Sequence, residues 1–194
     1  VSQLPIKSIS TVLKHLEAQF RLVRSNREWC LVLEDDALFA ADFSARYDEL
    51  LNLITEISEP CLVFLGGTDN KLDSRFYSGG SLKLIESPMT TAEAYLFNRS
   101  SAELRSTWLH SNLIDGPADH FLKSLDQRLG IRHYRVSHPF VSQGSITGQF
   151  KTTLDSSRAK HGKLYLRSRF EFNRFRKQTL PRFFHKIKEV FFDR

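Results

Sequence analysis

Apolar positions recur at three- and four-residue spacing over 8–25, where Ile9, Val12, Leu13, Leu16, Phe20 and Val23 share one side of a helix. Ser8 or Ser10 can cap its start. Trp29-Cys30-Leu31-Val32-Leu33 then forms an apolar run without alternation, halted by Glu34-Asp35-Asp36. Such a run predicts a strand buried on both faces, as in the parallel part of an α/β sheet. A second helix is predicted over 42–58, with Phe43, Tyr47, Leu50, Leu51, Ile54 and Ile57 on one side and Asp42 or Ser44 at its start. Cys61-Leu62-Val63-Phe64-Leu65 repeats the buried-strand pattern and ends in Gly66-Gly67.

The polar, glycine-bounded stretch Thr68–Gly80 predicts a long surface loop, of the kind that carries function after a strand's carboxyl end. Ser81–Glu86 and Thr91–Phe97 are further strand candidates, and helices are predicted at 99–113 and 117–128, the latter with Pro117 in its first turn. Ile131–Val136 is one more strand. There is no internal repeat and no low-complexity linker. The alternation of strands and helices predicts an α/β domain with a partly parallel sheet, whose ligands bind at the strands' carboxyl ends. The acidic triplet sits at such an end.

Composition narrows the picture. The 194 residues suffice for one domain with an appendage, and 41% apolar content is that of a globular chain. No apolar run approaches the ~20 residues needed to cross a bilayer, and no N-terminal signal pattern is present. Two cysteines, Cys30 and Cys61, each beside a strand-like run, read as reduced core thiols in a cytoplasmic protein rather than a disulfide framework. The net charge of +6 is uneven: residues 158–194 hold 12 Lys/Arg against 3 Asp/Glu, whereas residues 1–157 hold 16 against 19. The basic character therefore belongs to a tail on a mildly acidic body.

At strand periodicity Glu34 and Asp36 point to one side and Asp35 to the other. Two carboxylates aimed at one spot repel, and a divalent cation between them removes the repulsion. Oxygen-rich sites of this kind suit Mg²⁺ or Mn²⁺, which bridge protein carboxylates to a substrate's phosphates. A phosphate-bearing leaving group neutralised by a metal is the chemistry implied. The plainer alternative is an acidic strand end facing water.

The segment Leu31-Val32-Leu33-Glu34-Asp35-Asp36-Ala37-Leu38 resembles the signature of family 25 glycosyltransferases, which include bacterial lipopolysaccharide and lipooligosaccharide galactosyltransferases and collagen galactosyltransferases. Four further elements stand in the family's order. Ser10-Thr11-Val12-Leu13-Lys14-His15 stands where the family has a Leu-Ser-His-type helix end, although only Leu13 and His15 hold. Thr91-Ala92-Glu93-Ala94-Tyr95-Leu96-Phe97 is similar to the family's small-residue strand, and leads to a helix headed by Ser100-Ser101-Ala102. Pro117-Ala118-Asp119-His120-Phe121-Leu122 resembles its Pro-x-Asp helix start, and Pro139-Phe140-Val141-Ser142-Gln143-Gly144-Ser145 its Pro…Gln-x-Ser stretch. The family's opening strand–helix–strand segment, with an Ile-x-Leu strand and an Arg-rich turn, has no counterpart here, and the first residue is Val1. The expectation is a fragment, or a short form with an altered donor site.

The resemblance implies a GT-A-like nucleotide-sugar transferase sandwich over 1–157 with a basic helical tail over 158–194. It implies inverting transfer of a sugar, galactose first, from a UDP-sugar donor to a glycan or glycolipid acceptor in lipopolysaccharide or surface polysaccharide biosynthesis. Glu34 and Asp36 would hold a divalent cation (Mn²⁺ or Mg²⁺) or the diphosphate, with Asp36 innermost and Asp35 supporting the ribose or the loop. Asp119 is the candidate general base, kept ionised at a helix start, with a simple capping role as the alternative. His15 is a candidate contact to the donor or else a buried core histidine, and His120 a structural residue. Gln143 and Ser145 could read sugar hydroxyls, Gly67 could admit sugar against backbone, and Asp69 could contact the acceptor.

The tail interleaves its cations with Phe170, Phe172, Phe175, Phe183, Phe184, Phe191 and Phe192. Lys163–Arg176 and Arg182–Phe192 read as basic amphipathic helices broken near Pro181. Such helices suit an anionic membrane surface, which would hold the protein at the cytoplasmic face as a peripheral protein. The competing explanation is a helical pair docked on the body. A nucleic-acid partner is disfavoured by the acidic body and the lack of a recognition motif. Two other classes compete with the transferase: a non-catalytic sugar- or membrane-binding module of the same fold, and a metal-dependent phosphotransferase or nuclease, which needs more acidic ligands than the chain offers.

Overall fold

A computed structural model of the chain describes residues 6–67, 81–88, 92–114, 116, 118–150 and 161–192, without the side chains of Lys7, Ser8, Ala118, Asp119, Glu189 and Phe192. The predicted loop 68–80, with Asp69, and the predicted helix start Pro117 lie outside these residues. Helix α1 (Ile6–Arg24) is followed by β1 (Trp29–Leu33), β2 (Ala37–Phe39) and α2 (Phe43–Ile54). Next come β3 (Cys61–Phe64), β4 (Leu84–Glu86), β5 (Ala94–Asn98), α3 (Arg99–Leu109) and α4 (Ala118–Leu129). The body closes with β6 (Arg132–Val136), β7 (Val141–Gln143) and the short α5 (Gly144–Thr147).

Five strands form a mixed sheet in the order β1-β5-β3-β6-β4, and β2 pairs with β7 in a separate two-stranded ribbon. β3 and β6 are parallel, while β5 is antiparallel to both β1 and β3. The α/β class with a partly parallel sheet is therefore present. Strand periodicity splits the central strands between two cores. Cys61 and Val63 of β3, with Ala94 and Leu96 of β5, pack under α2 with Leu50 and Ile54. Leu62, Phe64, Tyr95 and Phe97 face the other way, toward Leu22 of α1 and Ala102 of α3. Val12 and Leu16 extend that layer against Phe121, Leu122 and Leu125 of α4.

Several sequence expectations need correction. β1 is not a parallel strand buried on both faces: it lies at a sheet edge, antiparallel to β5, and is only half-buried, with Leu33 exposed. Its apolar run is real, but a strand with a hydrogen-bonded neighbour on one flank stays partly open to water. β2 and β7 were not anticipated, since each has three residues and their pairing joins distant segments. Asp42 stands before α2 without capping it through its side chain, because its carboxylate pairs with Arg46 Nε at 2.6 Å. The cap that does form is Asn98, which accepts N–H donations from Ser101 and from Cys61, so one side chain fixes the starts of both α3 and β3. Cys30 and Cys61 are free, and burial pushes the Cys61 thiol up to about 12.

The tail does not break at Pro181. Helix α6 (Lys163–Arg174) runs through a π-helical turn at Phe175–Thr179 into α7 (Leu180–Phe192). Proline removes one N–H donor from a helix, and a widened turn just before Pro181 absorbs the disruption. There the Leu180 N–H reaches back five residues to Phe175 O. α6 packs against α5, with Phe170 and Gln178 buried.

Candidate functional site

β1, β3 and β6 run in one direction, so their carboxyl ends and the start of β5 open along the same edge of the sheet. The acidic triplet leaves β1 at this edge as a tight turn, closed by the Ala37 N–H donating to Glu34 O at 3.1 Å. The triplet does not continue the strand, so strand alternation does not set the directions of its side chains. The turn nevertheless leaves Asp35 exposed and sends Glu34 and Asp36, both half-buried, to one neighbouring element, the β7–α5 junction.

That junction carries Gln143 and Ser145. The Gln143 amide donates to Glu34 Oε2 at 3.1 Å, and the Ser145 N–H donates to Asp36 Oδ2 at 3.0 Å. The Gly144 N–H donates to the Asp36 carbonyl at 2.7 Å. A Cβ at Gly144 would lie 3.0 Å from that carbonyl and 2.1 Å from the Phe150 ring, so a larger residue there would displace the ring and press on the Asp36 backbone. Asp36 Oδ1 is left buried with no hydrogen-bond partner, a costly state for a carboxylate oxygen.

Beside this pair, Gly67, three residues past β3, has φ 86°, a left-handed conformation that suits glycine. Its N–H donates to Glu93 Oε1 at 2.6 Å, and its carbonyl accepts from Gln178 Nε2 at 3.4 Å. Glu93 is buried, and its own carbonyl accepts the Glu34 N–H at 3.0 Å. One acidic residue thus links the ends of β1 and β3. The tail also reaches this edge: Gln178 lies in the π-helical turn, and Arg182 Nη2 donates to Ser137 O at 3.3 Å just beyond β6.

His15 lies in the core, apart from the acidic turn. His15 is buried between α1 and the sheet, with Nδ1 sharing a 2.9 Å hydrogen bond with the Tyr95 hydroxyl. Burial, then the charges of Arg105 and Lys14, hold its pKa below the ordinary histidine value. Behind it, Arg105 donates to both carboxylate oxygens of Asp126, Nε to Oδ1 at 2.6 Å and Nη2 to Oδ2 at 2.5 Å, and His133 Nε2 shares Oδ2 at 2.6 Å. This is a structural network joining α3, α4 and β6. Asp119 is the second residue of α4, with its side chain outside the described residues; His120 is exposed. α4 packs on α1 and α3. A shallow hollow of about 740 Å³ along α1, lined by Ile9, Leu13 and Phe20, contains none of the acidic-turn residues.

Among the described residues no group of three or more His, Cys, Asp or Glu is arranged to hold a metal ion. The two inward carboxylates, with one unpartnered oxygen, fit a cation held mainly by a substrate's phosphates rather than by a protein cage. Sequence reasoning missed Glu93, Gly144 and Gln178. The signal for Glu93 was an acidic side chain inside the small and apolar run 91–97; Gly144 and Gln178 gave no sequence signal of their role. Compared with known proteins, the chain matches no protein-family model, and no curated protein matches it in sequence.

Proposed function

We propose that the chain is a glycosyltransferase of the family 25 type, moving a sugar from a UDP-sugar donor to a hydroxyl of a glycan or glycolipid. One observation carries this reading. The acidic turn and the Gln143-Gly144-Ser145 junction, two of the stretches on which the resemblance rests, lie 109 residues apart in sequence yet bond to each other at the carboxyl edge of the sheet. Ligands bind at that edge in α/β folds. A GT-A-like sandwich is the finer form of the observed α/β fold that this reading entails.

In this reading Asp36 Oδ1 and Glu34 face the diphosphate of the donor. They would also hold the divalent cation, Mn²⁺ or Mg²⁺, whose chemistry is to neutralise charge on the departing nucleotide. Asp35, exposed on the turn, is available to the ribose. Gln143 and Ser145 fix both carboxylates in place and border the space for the sugar. Gly67, with its own backbone groups already engaged, offers a close, side-chain-free wall. Asp119 takes the proton of the acceptor hydroxyl as that oxygen bonds to the anomeric carbon and the bond to the UDP oxygen breaks, with inversion at the carbon. His15 supports the fold through Tyr95.

The test is donor binding by calorimetry, with UDP and UDP-galactose, each with and without Mn²⁺. Binding should strengthen with Mn²⁺ and fall at least about tenfold in Asp36→Ala. Affinity indifferent to both metal and substitution defeats the role of the acidic turn. A second reading, a non-catalytic sugar-binding module, is favoured by the fact that Glu34 Oε2 and Asp36 Oδ2 already accept protein donors. Glycan binding with no donor binding would select it.

A further inference from the structure

The tail shows two unlike sides. Toward the body it buries Phe170 and Gln178 and anchors Arg182 on Ser137 O. Away from the body, Phe172, Phe175, Phe183, Phe184, Val190 and Phe191 are each more than half exposed, Phe191 at 71%. At 100° per residue, Phe183, Phe184, Ile187, Val190 and Phe191 of α7 fall within a stripe about 120° wide. Arg182 and His185, both partly buried, lie on the opposite side of the same helix. An ordinary amphipathic helix on a water-soluble body turns its apolar stripe inward; α7 turns it outward and docks by its polar side.

Charge says what covers that stripe. Exposed Lys186 and Lys188 flank it on its two borders, and exposed Arg169, Arg174 and Arg176 continue the basic margin along α6 and the π-helical turn. The region 158–194 holds 12 Lys/Arg against 3 Asp/Glu. A second copy docked face to face would oppose these cations to one another. A nucleic acid would satisfy the cations and leave the phenylalanines in water. Anionic lipid satisfies both, with rings in the acyl boundary and ammonium and guanidinium groups at the headgroups. Among the described residues no helix is long and apolar enough to cross a membrane, so the contact is an interfacial one.

We infer that the outward face of α6–α7 is a binding site for an anionic lipid bilayer, with the helices lying in the plane of the interface. The inference does not rest on glycosyl transfer. If both hold, Gln178, bonded to Gly67, places the candidate site directly behind the lipid-facing helix, where a membrane-held acceptor would be delivered.

The full chain is sedimented with vesicles of phosphatidylcholine alone and with vesicles containing about 30% phosphatidylglycerol. Three forms are compared: the unchanged chain, Phe183→Gln/Phe191→Gln, and Lys186→Glu/Lys188→Glu. All four positions are exposed, so circular dichroism should be unchanged. The expected result is pelleting with anionic vesicles only, weakened by salt and reduced at least about tenfold in each double variant. Failure to pellet with anionic vesicles overturns the inference. So does pelleting that ignores the phenylalanine changes, which would be simple charge adsorption. A concentration-dependent dimer abolished by Phe183→Gln/Phe191→Gln, without vesicle binding, would assign the face to a second copy instead.

Discussion

Glu93 ties two strand ends of the candidate site together, although nothing in the sequence announced that role. Its carboxylate holds the Gly67 N–H, its carbonyl holds the Glu34 N–H, and its side chain fills the space over Gly66. A Cβ at Gly66 would stand 2.1 Å from Glu93 Oε1, so Gly66→Ala must push that carboxylate off its donor. The loss of a charge-assisted bond at a buried acceptor should lower stability by about 1–3 kcal/mol, read as a shift in urea midpoint with unchanged m. An unchanged midpoint would mean that the Glu93 link contributes nothing. The acidic triplet was legible because three consecutive carboxylates after an apolar run are conspicuous. Glu93 was not, because a lone carboxylate gives no sign of which backbone donors will surround it.

At the scale of elements, α3, α4 and β6 are joined through charges rather than apolar contact alone. Arg105 and Asp126 are each 1% exposed and form a two-pronged pair, with His133 on the same carboxylate. Arg105→Met keeps most of the volume but leaves Asp126 buried without its cation, and should cost about 3–5 kcal/mol. Adding Asp126→Leu should recover much of the loss, since an apolar pair leaves no uncompensated charge. Chemical denaturation of the single and double variants measures both; a double variant as unstable as the single would deny the pair its role. The elements themselves were largely legible. Cys61–Phe64 and Trp29–Leu33 share one apolar pattern, and both are strands. The pattern reports what lies above and below a strand but not what lies beside it, so it could not tell the central β3 from the edge strand β1. The ribbon β2–β7 escaped notice because three-residue strands carry too few positions for periodicity.

For the molecule as a whole, acid should be destabilising in two steps. Burial, then Arg105 and Lys14, hold His15 below its ordinary value of 6.5. Burial alone would raise Asp126, but the Arg105 charge and the bonds from His133 and Arg105 keep it below its ordinary 3.8. Both groups therefore bind protons more readily in the unfolded chain, which takes up protons as pH falls and gains population. Stability contributed by His15 is complete above about 6.5 and lost as pH falls through its lower folded value; that of Asp126 follows below about 3.8. Melting temperature measured from about pH 8 to pH 3 should decline in this order, and His15→Gln should reduce the first decline, to which His138, held low by burial and then by Arg182 and Arg46, also contributes. A flat profile between pH 7 and 5 in the unchanged chain would contradict the assignment of His15 as a neutral core residue.

Read alone, the sequence shows the α/β alternation, the helices and strands with strong periodicity, the acidic triplet at the end of β1, the Gln143–Ser145 stretch and the charge split between body and tail. Each follows from local patterning, which fixes the chain's own conformation and composition. Tertiary structure alone decided that residues 109 apart would bond across the carboxyl edge, that Glu93 and Gln178 would clasp Gly67 from either side, and that α7 would face its apolar stripe outward. These depend on strand order and on which face of each element finds a partner. A one-dimensional pattern does not encode that choice until the sheet brings distant segments together.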